Sequence, residues 1–480
     1  MGDTLRLRLL STDEVWKIYE KCLHILSMQG LKVDHEGVLA ILDEAGAEVD
    51  HETRRVRFPT DLVEMALRSA PKEVTIKGAD ERYDCPIPHP GGLFYTSTNV
   101  QSMLRHDPDT RRFEDVTSES YAEWCQLIQV LDNVNLCAIQ TPMDVPPTSA
   151  EVHALNIQLQ NTTKPLFMHA FSLAAVPYMF ELMAARVGGV EALRERSLAI
   201  INPGTVSPFV LKAMDLEEIL QACRHGVPIT SDGHVIAGAT GPVTMAGTVL
   251  QNCTEVLAHV VIAQTIRPGH PIMMTMFNLT MDMTTGFSAL ATPAANLARS
   301  AGVQVCKEAF GIPVTGCALM TDTYTSDGLA VAEKALGGLV SIMAGMDLVY
   351  GVGRLGGASL ASPIELVIDD QLVALLKEYV GGVRVDDEML AVDEILDAGV
   401  GGHFLKRKHT LGHCRDMVEP GLFRFQLQAA WEAEGEKDLY ERAVDEYRRL
   451  RKELAPVDLP DDTKRAMDEV VVRADADLAS

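Results

Sequence analysis

Polar side chains recur just after short apolar runs in this chain, and their types suit a pocket for a small charged molecule. Gln140-Thr141 ends one such run and His169 a second. Asn202-Pro203-Gly204-Thr205, Ser231-Asp232-Gly233-His234, Phe277-Asn278, Met320-Thr321-Asp322 and Tyr350-Gly351 end five more. Each residue alone can serve as a cap or turn residue. Recurrence at the same end of successive units is a stronger signal, because in a parallel barrel those ends converge on one face. Two further patterns carry possible chemistry. Gly351, Gly353 and Gly356 spell GxGxxG, formally a dinucleotide fingerprint, but late in the chain and followed by the helical pattern IELVIDDQLVALL. That favours a loop of close backbone approach, which can still cradle a phosphate or a bulky cofactor group. His403, His409 and His413 could be read as zinc ligands. The spacing is not HExxH and no carboxylate stands beside them, so a structural helix is the better reading and no metal site is expected.

The elements that must position these groups alternate. Strand-like runs recur at Val134–Thr141, Pro165–Ala170, Leu198–Val206, Val227–Thr230, Pro271–Asn278, Pro313–Met320 and Asp347–Gly353. Helical patterns lie between them, such as Pro293–Phe310, closed by Gly311. Continuous apolar strands are buried on both faces, as parallel strands are. Seven or eight such units predict an α/β fold, a (β/α)8 barrel of the triosephosphate isomerase type. The most informative unit is Val227–Leu250. An apolar run passes through Asp232-Gly233-His234 and the turn Gly238-Ala239-Thr240-Gly241-Pro242, then leaves as a helix with Pro242 near its start. The expected organisation is an N-terminal helical cap and extended segment over 1–115, the barrel over 116–425, and a charged helical tail over 426–480. Helices are expected near Thr12, Glu36–Ala45 and Pro59–Ser69, and in the tail at Glu432–Glu453 and Asp461–Val472.

Composition narrows the function classes. Lys and Arg number 42 against 67 Asp and Glu, a net charge of −25. Such a surface repels nucleic acid and anionic membrane, so neither is an expected partner. The nine cysteines form no CxxC pair and are odd in number, which fits reduced thiols in a cytoplasm. No secretory signal and no uncharged apolar run long enough to span a bilayer are read.

The segment GATGPVTMAGT closely resembles a signature of the trimethylamine methyltransferase family, in the branch that lacks pyrrolysine. NTTKPLFMHAF, SLAIINPGTVSP, MAGMDLVYGVG, IELVIDDQL and GGHFLKRKHTLGH extend the resemblance to about residue 416. It implies a (β/α)8 barrel that moves a methyl group from a methylated amine to the Co(I) of a corrinoid (cobalamin) carried by a partner protein, with no cofactor held tightly by the chain itself. The family's pyrrolysine would fall near Leu319–Asp322, where only standard residues stand, so the resemblance points to the glycine-betaine-methyltransferase-like branch and a quaternary amine. In glycine betaine members an acidic residue is associated with the position near Asn99 and a histidine with that of Tyr350. Both differ here, implying a different methylated amine. Aromatic faces or a carboxylate would hold the ammonium, with Tyr350, Phe277, Tyr95, Phe171 and Asp322 as candidates. The implied catalytic residues are Asp322 and Tyr350. Substrate is expected at Asn99, Gln140, His169, Asn202, Asp232, Phe277, Asn278 and Tyr350. The corrin is expected against Gly233, Gly238, Thr240, Gly241, Thr321, Gly351 and Gly353. A homo-oligomer is expected. The rival readings are a metal-dependent barrel hydrolase using the three C-terminal histidines, and a non-catalytic subunit that binds methylated amines.

Overall fold

The structure, a computed structural model, describes residues 7–99, 101–416, 421–424 and 426–479. Among the described residues eight parallel strands form one closed sheet. They are β1 (Tyr95–Thr98), β2 (Cys137–Ala138), β3 (Leu166–Met168), β4 (Ala199–Ile201), β5 (Ile229–Ala237), β6 (Ile272–Met281), β7 (Val314–Cys317) and β8 (Leu348–Val352). Each pairs in parallel with the next, and β8 pairs with β1. A parallel Ser97–Leu136 bridge joins β1 to the segment entering β2, with the Leu136 N–H donating to the Thr96 carbonyl at 3.0 Å. A main helix follows each strand, with a short extra one at Val190–Glu195 before β4: α1 (Ser118–Val130), α2 (Ala150–Asn161), α3 (Val176–Val187), α4 (Ala213–His225), α5 (Met245–Ile266), α6 (Pro293–Val305), α7 (Gly328–Met343) and α8 (Pro363–Gly381). This is the expected (β/α)8 barrel.

Local chemistry explains the boundaries. Thr117, Thr292 and Ser362 cap α1, α6 and α8 by accepting a backbone N–H three residues on, and Pro293 and Pro363 open the last two. Gly311 follows the last helical turn after α6 at φ 65°. The barrel takes its first strand from the segment expected to precede it. Tyr95–Thr98 shows little apolar signal, because Thr96, Ser97 and Thr98 face neighbours that pair with them. Thr98 Oγ1 accepts the Ala138 N–H at 2.9 Å, for example. Strand β5 is longer than the expected Val227–Thr230. It continues through Ala237 because β6 pairs with it along its length, from Ile229–Ile272 to Ala237–Thr280. Helix α5 therefore starts at Met245, three residues after Pro242.

Tyr95, Phe167, Ile200, Met273, Leu348 and Tyr350 fill the barrel interior. The hairpin Val74–Ile76/Cys85–Ile87 packs against the same cluster and plugs the amino end. Outside, α5 is buried along almost its whole length. The N-terminal helices Thr12–Met28, Glu36–Glu44 and Thr60–Ser69 cover it. The expected single tail helix over Glu432–Glu453 is instead two, Gln428–Ala433 and Leu439–Leu450, because Gly435 turns the chain at φ 90°. Leu439–Leu450 packs on α8, and Asp461–Leu478 packs on α2 and α3. There Asp475 accepts from Ser149 at 2.5 Å and lies 2.9 Å from His153.

Between α7 and α8 the fully buried Lys334 ammonium sits 2.7 Å from Glu365 and 2.5 Å from Asp369. Asp369 also accepts the Gly353 N–H at 2.7 Å, fixing the loop after β8. Removing one partner of a buried ion network leaves uncompensated charge. Lys334→Ala should therefore destabilise the fold by about 3–5 kcal/mol, read as a lower urea midpoint at unchanged slope.

Candidate active site

The carboxyl ends of β3–β6 and the loops after them surround a cavity of about 360 Å³. Asn99, His169, Asn202, Asp215, Asp232, His234 and Phe277 line it, with Gly357–Ser359 at the rim. The size suits a small ligand, and its location is where barrels of this type act. Buried Arg354 donates to the Asn99 carbonyl and holds the chain just after β1. Because β5 runs through Ala237, Asp232 and His234 lie two residues apart on one strand face. Their side chains meet at 3.2 Å, and Asn202 Nδ2 donates to the same Asp232 oxygen at 3.1 Å. The other Asp232 oxygen, Oδ1, is buried and accepts no hydrogen bond.

Burial works against charge on Asp232, but His234 and Asn202 outweigh it and hold the carboxyl below the usual carboxylate range. Burial likewise works against charge on His234, and Asp232 lifts its imidazole above the usual range. A second acidic group lies beside them. His169 Nδ1 is 3.3 Å from Glu218 Oε2, and despite burial the His169 pKa is lifted to about 9 by that carboxylate. Burial and repulsion from Glu218 push Asp215 up to about 6. Glu151 and Glu255 are buried near by, bonded to the loops at Phe171–Ser172 and Ser207–Phe209. Five carboxylates, Asp215, Asp232, Glu151, Glu218 and Glu255, thus stand in and behind this mouth against three bases, His169, His234 and Lys212, a balance that favours a cationic guest.

Aromatic groups complete the arrangement. Phe277 lines the cavity, with the His234 ring edge-on at 4.5 Å. Tyr350 stacks on Phe277 at 6.3 Å between centroids and lies 5.5 Å from Phe167. Tyr350 is 1% exposed, does not line the cavity, and its hydroxyl makes no hydrogen bond. Its ring backs Phe277 from within the barrel.

Of the residues expected from sequence, Asn99, His169, Asn202, Asp232 and Phe277 come together at the cavity. Gln140 is buried just after β2. Asn278 turns away, bonding Asn252 and the Thr248 carbonyl behind the sheet. Asp322 accepts the Leu290 and Ala291 backbone N–H groups at 2.9–3.1 Å and so braces the loop before α6. Tyr95 begins β1 at the amino end, beside His89, on the far side of the barrel from the cavity. Thr240 closes the turn after β5, its hydroxyl accepting from Ile236 N–H at 2.9 Å, with Gly238 and Gly241 in the same turn. Gly233 faces Asn252 closely, and Thr321 donates to Glu333. A Cβ on Gly351, at φ 122°, would lie 2.4 Å from the Leu319 carbonyl oxygen, and one on Gly353 would lie 2.6 Å from Trp124. These two glycines serve close packing of the backbone. Sequence reasoning missed Asp215 and Glu218, which look like ordinary acidic residues in the first turns of a helix. It also left His234 outside the site, its signal being its place two residues after Asp232.

A closed parallel barrel with a polar cavity at the carboxyl ends of its strands has the arrangement of a barrel enzyme. A family model described as trimethylamine methyltransferase matches residues 2–479. The chain belongs to the trimethylamine methyltransferase family and is a methyltransferase. It is 28% identical to a trimethylamine methyltransferase of Desulfitobacterium hafniense, over 96% of this chain and 92% of that one. It is 26% identical to a glycine betaine methyltransferase of the same species, over 90% of each. Among solved structures, the Methanosarcina barkeri monomethylamine methyltransferase aligns at TM-score 0.57 and 11% identity, covering 94% of this chain and 90% of that one.

The raised His234 and lowered Asp232 are one ion pair. It is intact at pH 6.5 and is lost as pH rises through the elevated imidazole pKa. Asp232→Asn should move the His234 titration midpoint downward in histidine-labelled NMR spectra. An unchanged midpoint would show that Asp232 does not set it.

Proposed function

We propose that this chain transfers a methyl group from a quaternary amine to the Co(I) of a corrinoid carried by a partner protein. The observation that carries this reading is the pairing of Asp232, with one buried unbonded oxygen, and the Phe277 face in one acidic cavity. A carboxylate and an aromatic face are the two groups that hold a quaternary ammonium. Membership of the family and the named activities of its relatives support the same class.

A bound corrinoid would supply the nucleophile that accepts the methyl group, and what a quaternary amine R–N(CH3)3+ leaves behind on losing a methyl is a neutral amine. The leaving group needs no proton, so the chain's own residues have positioning work to do. Asp232 stabilises the ammonium, Phe277 with Tyr350 behind it presents an apolar wall, and Asn99 and Asn202 orient the remainder of the substrate. Removal of the ammonium charge at the transition state weakens the hold on the product amine, which favours its release. The rim fits a large flat guest. Val243 and Met283, on the loops after β5 and β6, meet beside Gly238 and are each 71% exposed. Asp322, Thr321, Gly351 and Gly353 are assigned to the frame around that guest.

Two further parts complete the reading. The cytoplasm is the proposed location, supported by nine cysteines among which no disulfide forms. The homo-oligomer is proposed through residues 383–411, where Val383, Val400, Leu405 and Leu411 are each at least 78% exposed. Acidic Asp386–Asp397 and basic Lys406–Lys408 share that segment, the self-complementary charge that a two-fold contact between copies requires.

With a reduced corrinoid partner, a panel of betaines and carnitine-like and choline-like amines should include one that methylates the corrinoid, seen in its visible spectrum. Phe277→Ala should lower kcat/KM for that amine roughly 5- to 30-fold, the scale of one desolvated cation–π contact, and Tyr350→Phe should change it little. No methylation with any quaternary amine would sink the assignment. Separately, Val400→Glu with Leu405→Glu should lower the mass seen in sedimentation, and a monomeric native protein would refute the oligomer.

A further inference from the structure

We infer that His169, Asp215 and Glu218 form a binding site for one divalent transition-metal ion at the edge of the cavity. The inference uses the same cavity as the proposed amine site but does not depend on methyl transfer. His169 follows β3, while Asp215 and Glu218 stand three residues apart on α4 and so share one helix face. One ligand atom from each lies within 4.8 Å of the other two, the one such grouping found among the described residues. The 3.3 Å between His169 Nδ1 and Glu218 Oε2 matches the roughly 3.3–3.4 Å edge between ligands of a tetrahedral ion at about 2.0–2.1 Å.

Three observations point to a ligand rather than to a closed ion pair. Glu218 is 1% exposed, and its Oε2 and His169 Nδ1 face only each other, at 3.3 Å, with no other hydrogen-bond partner on either atom. Each carboxylate has one oxygen already fixed by backbone. The Ala170 N–H donates to Glu218 Oε1 at 2.6 Å, and the Gly204 N–H donates to Asp215 Oδ1 at 2.8 Å. Such outer partners orient metal ligands. Lastly, the two carboxylates are buried, and a divalent ion that displaces the imidazole proton on binding would balance both of their charges. A protonated His169 would balance one.

One imidazole and two carboxylates suit Zn2+, Mn2+ or Fe2+ better than a soft or purely oxygen-seeking ion. Three protein ligands leave a coordination position open. His169 and Asp215 both line the cavity, so that position faces the guest. An ion there can take a carboxylate or hydroxyl oxygen of an amine whose ammonium lies at Asp232 and Phe277.

The test uses the full chain, stripped with chelator and titrated calorimetrically with ZnCl2 or MnCl2. A His409→Ala/His413→Ala background removes the exposed histidine pair, whose rings lie 4.4 Å apart and could capture zinc. One equivalent should bind, and Asp215→Asn and Glu218→Gln should each weaken binding at least ten-fold. X-ray absorption of the unsubstituted site should show one imidazole among oxygen ligands. No bound ion at 100 μM metal, on the order of a weak site, or binding unaltered by both Asp215→Asn and Glu218→Gln, overturns the site. Failure of the ion to bind while amine demethylation stays intact would overturn the metal site alone. A bound ion without demethylation would leave it standing and count against the methyltransfer reading.

Discussion

Closure of the sheet between β1 and β2 is the constraint on which the rest depends. A few backbone hydrogen bonds around Thr96, Ser97 and Leu136 turn an eight-stranded ribbon into a ring. Once the ring is closed, parallel direction forces every strand to deliver its last residue to one face. The interior is filled by Phe167, Ile200, Met273 and Tyr350, and the hairpin before β1 stops the amino end. Only the carboxyl end stays open, so His169, Asn202, Asp232 and Phe277, far apart in sequence, have one place to meet.

At that place the chain keeps more buried negative charge than its own bases neutralise. Asp232 is satisfied on one oxygen only, and Asp215 is driven toward protonation by burial and by Glu218. An arrangement of this kind is costly for the empty protein and is relieved by a positive guest. Stability comes from elsewhere, chiefly the extensive apolar packing of α5.

Much of this was legible in the sequence, for physical reasons that differ by element. Strands β2–β8 are buried on both faces, so they read as apolar runs, and all but β5 fall within or close to the expected ranges. Strand β1 reads only as an extended segment, because its small polar residues bond the neighbouring chain around β2 and carry no hydrophobic period. The length of β5 was hidden, since Asp232-Gly233-His234 resembles a loop until β6 is there to pair with it. His169, Asn202, Asp232 and Phe277 are legible because each stands at the end of an apolar run in the sequence. Asp215 and Glu218 were not, because acidic residues near a helix start have an ordinary explanation in the helix dipole. Tyr350 was read as facing the guest, but strand register puts its ring one layer deeper, against Phe277.

The cover over α5 has a consequence for how the chain is made. Thr12–Met28, Glu36–Glu44 and Thr60–Ser69 dock on a helix that starts at Met245. Their apolar faces leave the ribosome first and wait for a partner more than a hundred and seventy-five residues downstream. At about 5–20 residues per second that wait is roughly ten to forty seconds. During synthesis the N-terminal helices are therefore a sticky, unmatched surface, and when α5 emerges they must already be near enough to shield it. The cap that protects the barrel in the finished protein is its most aggregation-exposed part while the protein is being born.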